Sequence, residues 1–263
     1  MKHIESLQNP LVKHWVQLLE KSRSRRSDRQ FLIEGKREIS LAVAGGYNIP
    51  TLIYEGSVAD PGAVAAMAPG AEIISVGHEV YRKLAYRDST EGVLALADAK
   101  PHALDDLKLP ASPLILIAES PEKPGNIGAI LRTADAAGVD AVIIADMAGD
   151  LYNPNVIRSS VGCVFTTKVA VASSAQAIEF LQANNIDIYA AALQNAVDYL
   201  QADFTGSCAI AVGTEATGLT EHWRTAAKQT VMIPMAGVID SMNVSVAAAV
   251  LVFEAVRQRS NSG

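Results

Sequence analysis

Apolar residues recur at helical spacing at Leu11, Trp15, Leu18 and Leu19, behind a capping Asn9 and a Pro10 suited to a first turn, and predict the first helix. The pattern breaks at Ser22-Arg-Ser-Arg-Arg-Ser-Asp-Arg29, which has no apolar residue and reads as an exposed loop. A strand over 31–33 follows, then a helix from about Lys36 that stops at Gly45-Gly46. Short apolar runs at 51–54, 73–76 and 93–97 read as strands, with helices at 60–68 and 78–85 between them. Together these make a small α/β unit over residues 1–98.

Residues 99–113 carry prolines and charges but no long apolar run, and read as a linker. Beyond them, 114–118 is wholly apolar, as befits a strand covered on both faces of a parallel sheet. Further strands are expected at 141–145, 168–171, 186–191, 208–212 and 230–233, with helices at 174–183 and 242–258. This alternation predicts that residues 114–263 form a doubly wound, mostly parallel α/β sheet. The last helix is apolar around most of its circumference for three turns, which predicts burial.

Composition narrows the function classes. No apolar run approaches the roughly 18 residues of a membrane span, and the N-terminus lacks a basic-then-apolar signal. Cys163 and Cys208 are the only cysteines, no CxxC occurs, and no His/Cys cluster has metal spacing. A cytoplasmic protein without disulfides, metal or membrane partner is expected. The net charge of −6 speaks against nucleic-acid binding by the whole surface, yet eight Lys or Arg and three acids lie between Lys13 and Arg37. Lys13, Arg23, Arg25, Arg26 and Arg29 are therefore candidate phosphate contacts, with a solvated charge run as the plainer reading.

Three stretches place polar residues where a strand ends and a helix begins, the edge at which open α/β sheets bind ligands. In Asn126-Ile-Gly-Ala-Ile-Leu-Arg132-Thr-Ala134, a turn that Asn126 could cap leads into a helix of small apolar residues interrupted by Arg132. An arginine so placed calls for an anionic partner, in a ligand or in a structural salt bridge. Gly213-Thr-Glu215-Ala-Thr-Gly218-Leu219 offers bare backbone, then a carboxylate. Ile233-Pro234-Met235 runs on to Ser241-Met-Asn243-Val-Ser245 through a loop too apolar to lie free in water, suited to a ligand pocket or an interface. Neither a P-loop nor GxGxxG is present.

In this order the three motifs resemble those of the SpoU family, the TrmH-like RNA ribose 2′-O-methyltransferases of the SPOUT superfamily. The resemblance spans about 114–259 and includes Arg158-Ser-Ser-Val-Gly-Cys-Val-Phe165 as a central segment. At Lys13, Phe31-Leu-Ile-Glu34-Gly35 and Glu91-Gly92-Val93 the N-terminal part is similar to the family's substrate-binding domain, which has a ribosomal-protein-like fold. The resemblance implies a deep trefoil knot in the C-terminal domain, a homodimer with its active site near the interface, S-adenosylmethionine as methyl donor, and no metal. The implied substrate is structured RNA, ribosomal ahead of transfer RNA. Gly213, Ile233 and Met242 match cofactor-contacting positions. Arg132 matches the catalytic arginine, acting either as base or as an electrostatic clamp, and Asn126, Glu215 and Asn243 match polar residues around the reacting centre. Thr214 and Ala216 depart from the usual Asn and Gly, and Met242 from the usual Leu. Two rival readings are an RNA-binding protein that kept the fold and lost catalysis, and an ordinary nucleotide-binding α/β enzyme, which predicts a dinucleotide fingerprint.

Overall fold

A computed structural model describes residues 2–86, 91–214, 217–239 and 241–261. In chain order its first elements are β1 (Lys2–Ile4), α1 (Pro10–Glu20), α2 (Ser22–Asp28), β2 (Gln30–Glu34), α3 (Lys36–Ala44), β3 (Thr51–Glu55), α4 (Pro61–Met67), β4 (Glu72–Val76), α5 (His78–Leu84) and β5 (Val93–Asp98). There follow β6 (Leu114–Glu119), α6 (Pro124–Ala137), β7 (Ala141–Ala145), α7 (Pro154–Ser159), β8 (Val169–Ala172), α8 (Ser174–Ala183), β9 (Asp187–Ala191), β10 (Val197–Asp198), β11 (Cys208–Val212), α9 (Glu221–Ala226), β12 (Gln229–Met232) and α10 (Val244–Ser260). Two compact units result. One is Met1–Pro101 with Asp150–Thr166; the other is His102–Gly149 with Thr167–Gly263.

The first unit is built on a sheet of order β1-β4-β3-β5-β2, in which β5 runs antiparallel to both neighbours and the other pairings are parallel. Helix α1 forms as expected. The Asn9 side chain accepts from the Leu11 amide at 2.9 Å, and Val12, Trp15 and Leu18 are buried in the core with Leu32, Ile53 and Ile74. Against expectation, residues 22–28 are helical. They have no apolar face, so burial of one polar side chain stands in for it. Arg25 is 4% exposed, and its guanidinium donates to both Asp150 carboxylate oxygens (3.0 and 2.8 Å) and to the carbonyls of Leu18 (2.6 Å) and Leu19 (3.0 Å). Asp150 thereby ties the 150–166 segment into this unit. Tyr152 stacks on Phe31 with centroids 3.9 Å apart, and its hydroxyl donates to that of Tyr47 at 3.3 Å. Burial pushes both phenols above their usual pKa, so the pair is neutral.

In the second unit the sheet runs β10-β12-β9-β11-β6-β7-β8, with every pairing parallel. Its central strands are buried end to end, including all of β6, β7 and β11. Helix α10 packs on α6 and buries Ala248, Leu251, Val252 and Ala255. The opposite side is not covered, contrary to the expectation of all-round burial. Val246 is 51% exposed and Phe253 48%, one above the other at i and i+7. No helix of the described residues is long and apolar enough to cross a membrane, and no group of three potential metal ligands occurs among them.

Candidate functional site

From β6 the chain moves through α6 to β7 on one side, whereas from β11 it moves through α9 to β12 on the other. The boundary between β6 and β11 is thus a topological switch point, where an open parallel sheet leaves a crevice at its C-terminal edge. A cavity of about 300 Å³ opens on the β11 side of that boundary, bounded by the ends of β9, β11 and β12 and the first turns of α10. Gly213, Ile233 and Met242 all line it, so the three expected cofactor positions converge.

Thr214 and Gly218 come back together after the end of β11. The Thr214 hydroxyl accepts from the Thr217 amide at 3.0 Å, and the Gly218 amide donates to the Thr214 carbonyl at 3.0 Å. Thr214 therefore closes the turn with its own side chain. Gly218 has φ 68°, which suits glycine. A Cβ on Gly213 would collide with the Gly218 carbonyl group and the Leu219 nitrogen. Gly213→Ala is therefore expected to displace the turn, costing about 1–3 kcal/mol of stability and weakening cofactor binding more than tenfold. Calorimetric titration with S-adenosylhomocysteine, alongside a thermal melt, checks both effects.

Glu119, at the end of β6, anchors the far side of the turn. Its buried carboxylate accepts from the Thr220 amide (2.8 Å) and hydroxyl (2.7 Å) and from Ser174 (3.2 Å), whose oxygen accepts from the Trp223 indole at 2.9 Å. Sequence reading missed Glu119. The available signal was a lone acid at the end of an otherwise apolar strand.

The polar residues expected at the reacting centre are placed unevenly. Asn126 is the third residue of α6 rather than its cap, and its Oδ1 accepts from Asn243 Nδ2 at 3.2 Å. Asn243 caps α10 by accepting from the Ser245 amide (3.0 Å) and hydroxyl (2.6 Å). This joins the first turns of α6 and α10 beside the cavity. Arg132 lies about 9 Å further along α6. It is exposed, has no hydrogen-bond or ion-pair partner among the described residues, and does not line the cavity. A structural salt bridge does not occupy it there. Glu215, expected beside them, lies outside the described residues, as does Ala216. Val238 and Ile239 of the apolar loop are exposed, while Met235 lines the cavity.

Of the expected phosphate contacts, Lys13, Arg23, Arg26 and Arg29 are exposed on the first unit. Arg25 is not available. Its burial and four hydrogen bonds make it a structural group, which corrects the sequence expectation.

The model described as the SpoU rRNA Methylase family matches residues 113–253, and that of an MRM3-like substrate binding domain matches residues 9–95. The 23S rRNA (uridine(2479)-2′-O)-methyltransferase of Streptomyces viridochromogenes is 32% identical over 95% of this chain and 91% of its own. The 23S rRNA (guanosine(2553)-2′-O)-methyltransferase RlmP of Bacillus subtilis (strain 168) is 29% identical over 96% and 98%. Among solved structures, the SpoU methyltransferase AviRb from Streptomyces viridochromogenes in complex with AdoMet superposes with a TM-score of 0.89, at 32% identity, covering 96% of this chain and 99% of that one.

Proposed function

The chain belongs to the SpoU rRNA methylase family, and on that premise we propose that it is an S-adenosylmethionine-dependent methyltransferase acting on ribose 2′-hydroxyls of ribosomal RNA. The observation that carries this reading is the convergence of Gly213, Ile233 and Met242 on one cavity at the ends of β9, β11 and β12, beside the Asn126–Asn243 pair. Bound there, the cofactor supplies a sulfonium methyl group open to in-line attack. The cavity's volume, about 300 Å³, is at the lower end of the range for small-molecule sites, about 300–1,000 Å³. The lining suits a ligand with an apolar, aromatic part: Ile233 and Met242 offer hydrocarbon, and Gly213 lets a ligand reach the backbone.

The remaining work falls to polar side chains. The Asn126–Asn243 hydrogen bond fixes the entry turns of α6 and α10 and so holds the ribose site in register with the cavity. A guanidinium offers donors and no acceptor, so Arg132 is unsuited to act as a base. Its exposed fork is suited to gripping the phosphate next to the target ribose and opposing the negative charge that grows on the 2′-oxygen. Glu215 is assigned to orient this group.

Further parts of the reading concern architecture. Residues 1–98 form the RNA-binding domain, joined by 99–113 to a methyltransferase domain of residues 114–263 that is knotted at its C-terminal strands and helix and lends its 150–166 segment to the first compact unit. Two chains pair through the apolar side of α10 carrying Val246 and Phe253, which brings Arg132 to a shared site. The protein works in the cytoplasm, where its RNA is.

Exposed Lys13, Arg23, Arg26 and Arg29 supply phosphate contacts. Changing Arg23, Arg26 and Arg29 together to Glu is expected to weaken RNA binding and flatten its salt dependence by about 2 in log–log slope. The thermal melt should stay unchanged. Filter binding across a salt series checks this, and wild-type affinity in the triple variant would reduce the cluster to a solvated surface.

The activity is tested by tritiated methyl transfer from S-adenosylmethionine to RNA of a strain lacking the protein. Alkali-resistant label in ribosomal RNA is the expected result. Label confined to transfer RNA would move the substrate, and label in neither would favour a binding protein that has lost catalysis.

A further inference from the structure

One charged side chain lines the cavity among the described residues, and no motif points to it. Arg224, on α9, lines the cavity together with residues 192–194 and 217–219. It is half-buried, and its Nη1 donates to the Leu219 carbonyl at 2.7 Å. That bond uses one donor of a five-donor fork and fixes the direction of the rest. No carboxylate of the described residues pairs with it. A half-buried guanidinium on a wall whose other described residues are neutral is a site for an anion brought by the ligand.

This inference rests on the cofactor reading above. S-adenosylmethionine has one anionic group, the α-carboxylate of its methionine part. The remainder is an adenosine, an ammonium and a sulfonium, none of which a guanidinium attracts. We infer that Arg224 is the carboxylate-binding residue of the cofactor site, donating from its free N–H groups to the methionine carboxylate while the Leu219 carbonyl holds it in place.

The contact is with the carboxylate of the amino-acid arm, not with the sulfur or the transferred methyl, and is made equally in substrate and product complexes. It therefore contributes uniform binding, which sets KM and product affinity rather than kcat. The 213–219 turn and the amino-acid end of the ligand are linked through one side chain, since Arg224 bonds the last residue of that turn.

The test is calorimetric binding of two ligands to the full-length protein: S-adenosylhomocysteine, and its decarboxylated counterpart, which keeps the adenosine, thioether and amine. Wild type should favour S-adenosylhomocysteine by about 10- to 100-fold, the range for a hydrogen bond between charged groups. Arg224→Gln should lose that factor for S-adenosylhomocysteine and bind the decarboxylated ligand as wild type does. Arg224→Lys, which keeps the charge without the fork, should recover part of the loss, and thermal melts of both variants report their folding separately. Equal weakening of both ligands would show that Arg224 acts only by holding Leu219, and overturn the inference. Unchanged affinity of Arg224→Gln for S-adenosylhomocysteine would also overturn it. If wild type binds neither ligand, the cofactor reading itself falls.

Discussion

Arg132→Ala is expected to lower methyl transfer by at least about a hundredfold, while S-adenosylhomocysteine still binds within about twofold of wild type. The first figure follows from removing a donor aimed at charge that develops in the transition state, which costs about 10²–10³ in rate. The second follows from position, because Arg132 does not line the cavity and stands on α6 beyond Asn126. Single-turnover rates at saturating RNA and cofactor, with a parallel binding titration, separate the two. Arg132→Lys keeps the charge but not the planar fork, and should stay well below wild type. A variant that transfers methyl groups at the wild-type rate would remove Arg132 from the reacting centre. One that loses cofactor binding in parallel would make it a structural residue instead.

Arg25→Ala should produce the largest loss of stability, about 3–5 kcal/mol, by leaving a partly solvated but nearly buried Asp150 without its partner. The side chains of the pair are 4% and 10% exposed, so water replaces little of the lost contact. Three anchors fail together, since α2, the end of α1 and the 150–166 segment all bond to the same guanidinium. The removal of both charges in Arg25→Ala with Asp150→Ala should recover part of the loss, because the uncompensated carboxylate goes too. Urea unfolding followed by tryptophan fluorescence reads both units, through Trp15 in the core of the first and Trp223 in that of the second, and the loss should appear in the transition of the first. A melt no different from that of the Arg23, Arg26 and Arg29 triple variant would mean that Arg25 is as dispensable as its exposed neighbours.

Those neighbours show what the sequence could and could not convey. In Ser22-Arg-Ser-Arg-Arg-Ser-Asp-Arg29, four arginines look alike on the page, and nothing local tells which one turns inward. The distinction comes from Asp150, far along the chain, so the helix and the burial of Arg25 were both missed for the same reason. Where one segment carries its own instructions the reading held. Asn9 and Pro10 mark the start of α1, and the uninterrupted apolar runs of 114–118 and 208–212 became the adjacent central strands β6 and β11. The last helix was legible in length but not in burial, since apolar residues on both sides do not say how many neighbours one chain supplies.

The site divides along the same line. Gly213, Ile233 and Met242 were found through motif order, and they meet because strand ends and the loops after them are short-range features. Glu119 and Arg224 were not found. Each acts on the 213–219 turn from an element outside the motif, and neither has a spacing that marks it. The departure of Thr214 from the usual residue is accounted for by its hydroxyl, which closes the turn itself.

The place of β11 between β9 and β6 has a consequence for how the chain acquires its shape. Leu114 pairs with Cys208, and β6 waits for a partner that follows it by most of the second unit. Loop-closure entropy grows only logarithmically with length, so the delay affects rate far more than final stability. During synthesis, β6, α6 and β7 emerge without the strand that completes their sheet, exposing one apolar edge until Cys208–Val212 arrives. The ligand cavity uses the end of β9, the end of that late strand and the segments after it. Because the lining runs on into α10 at Val244, Ala247 and Leu251, a nascent chain cut short before that helix lacks part of the cavity wall even where its sheet is complete.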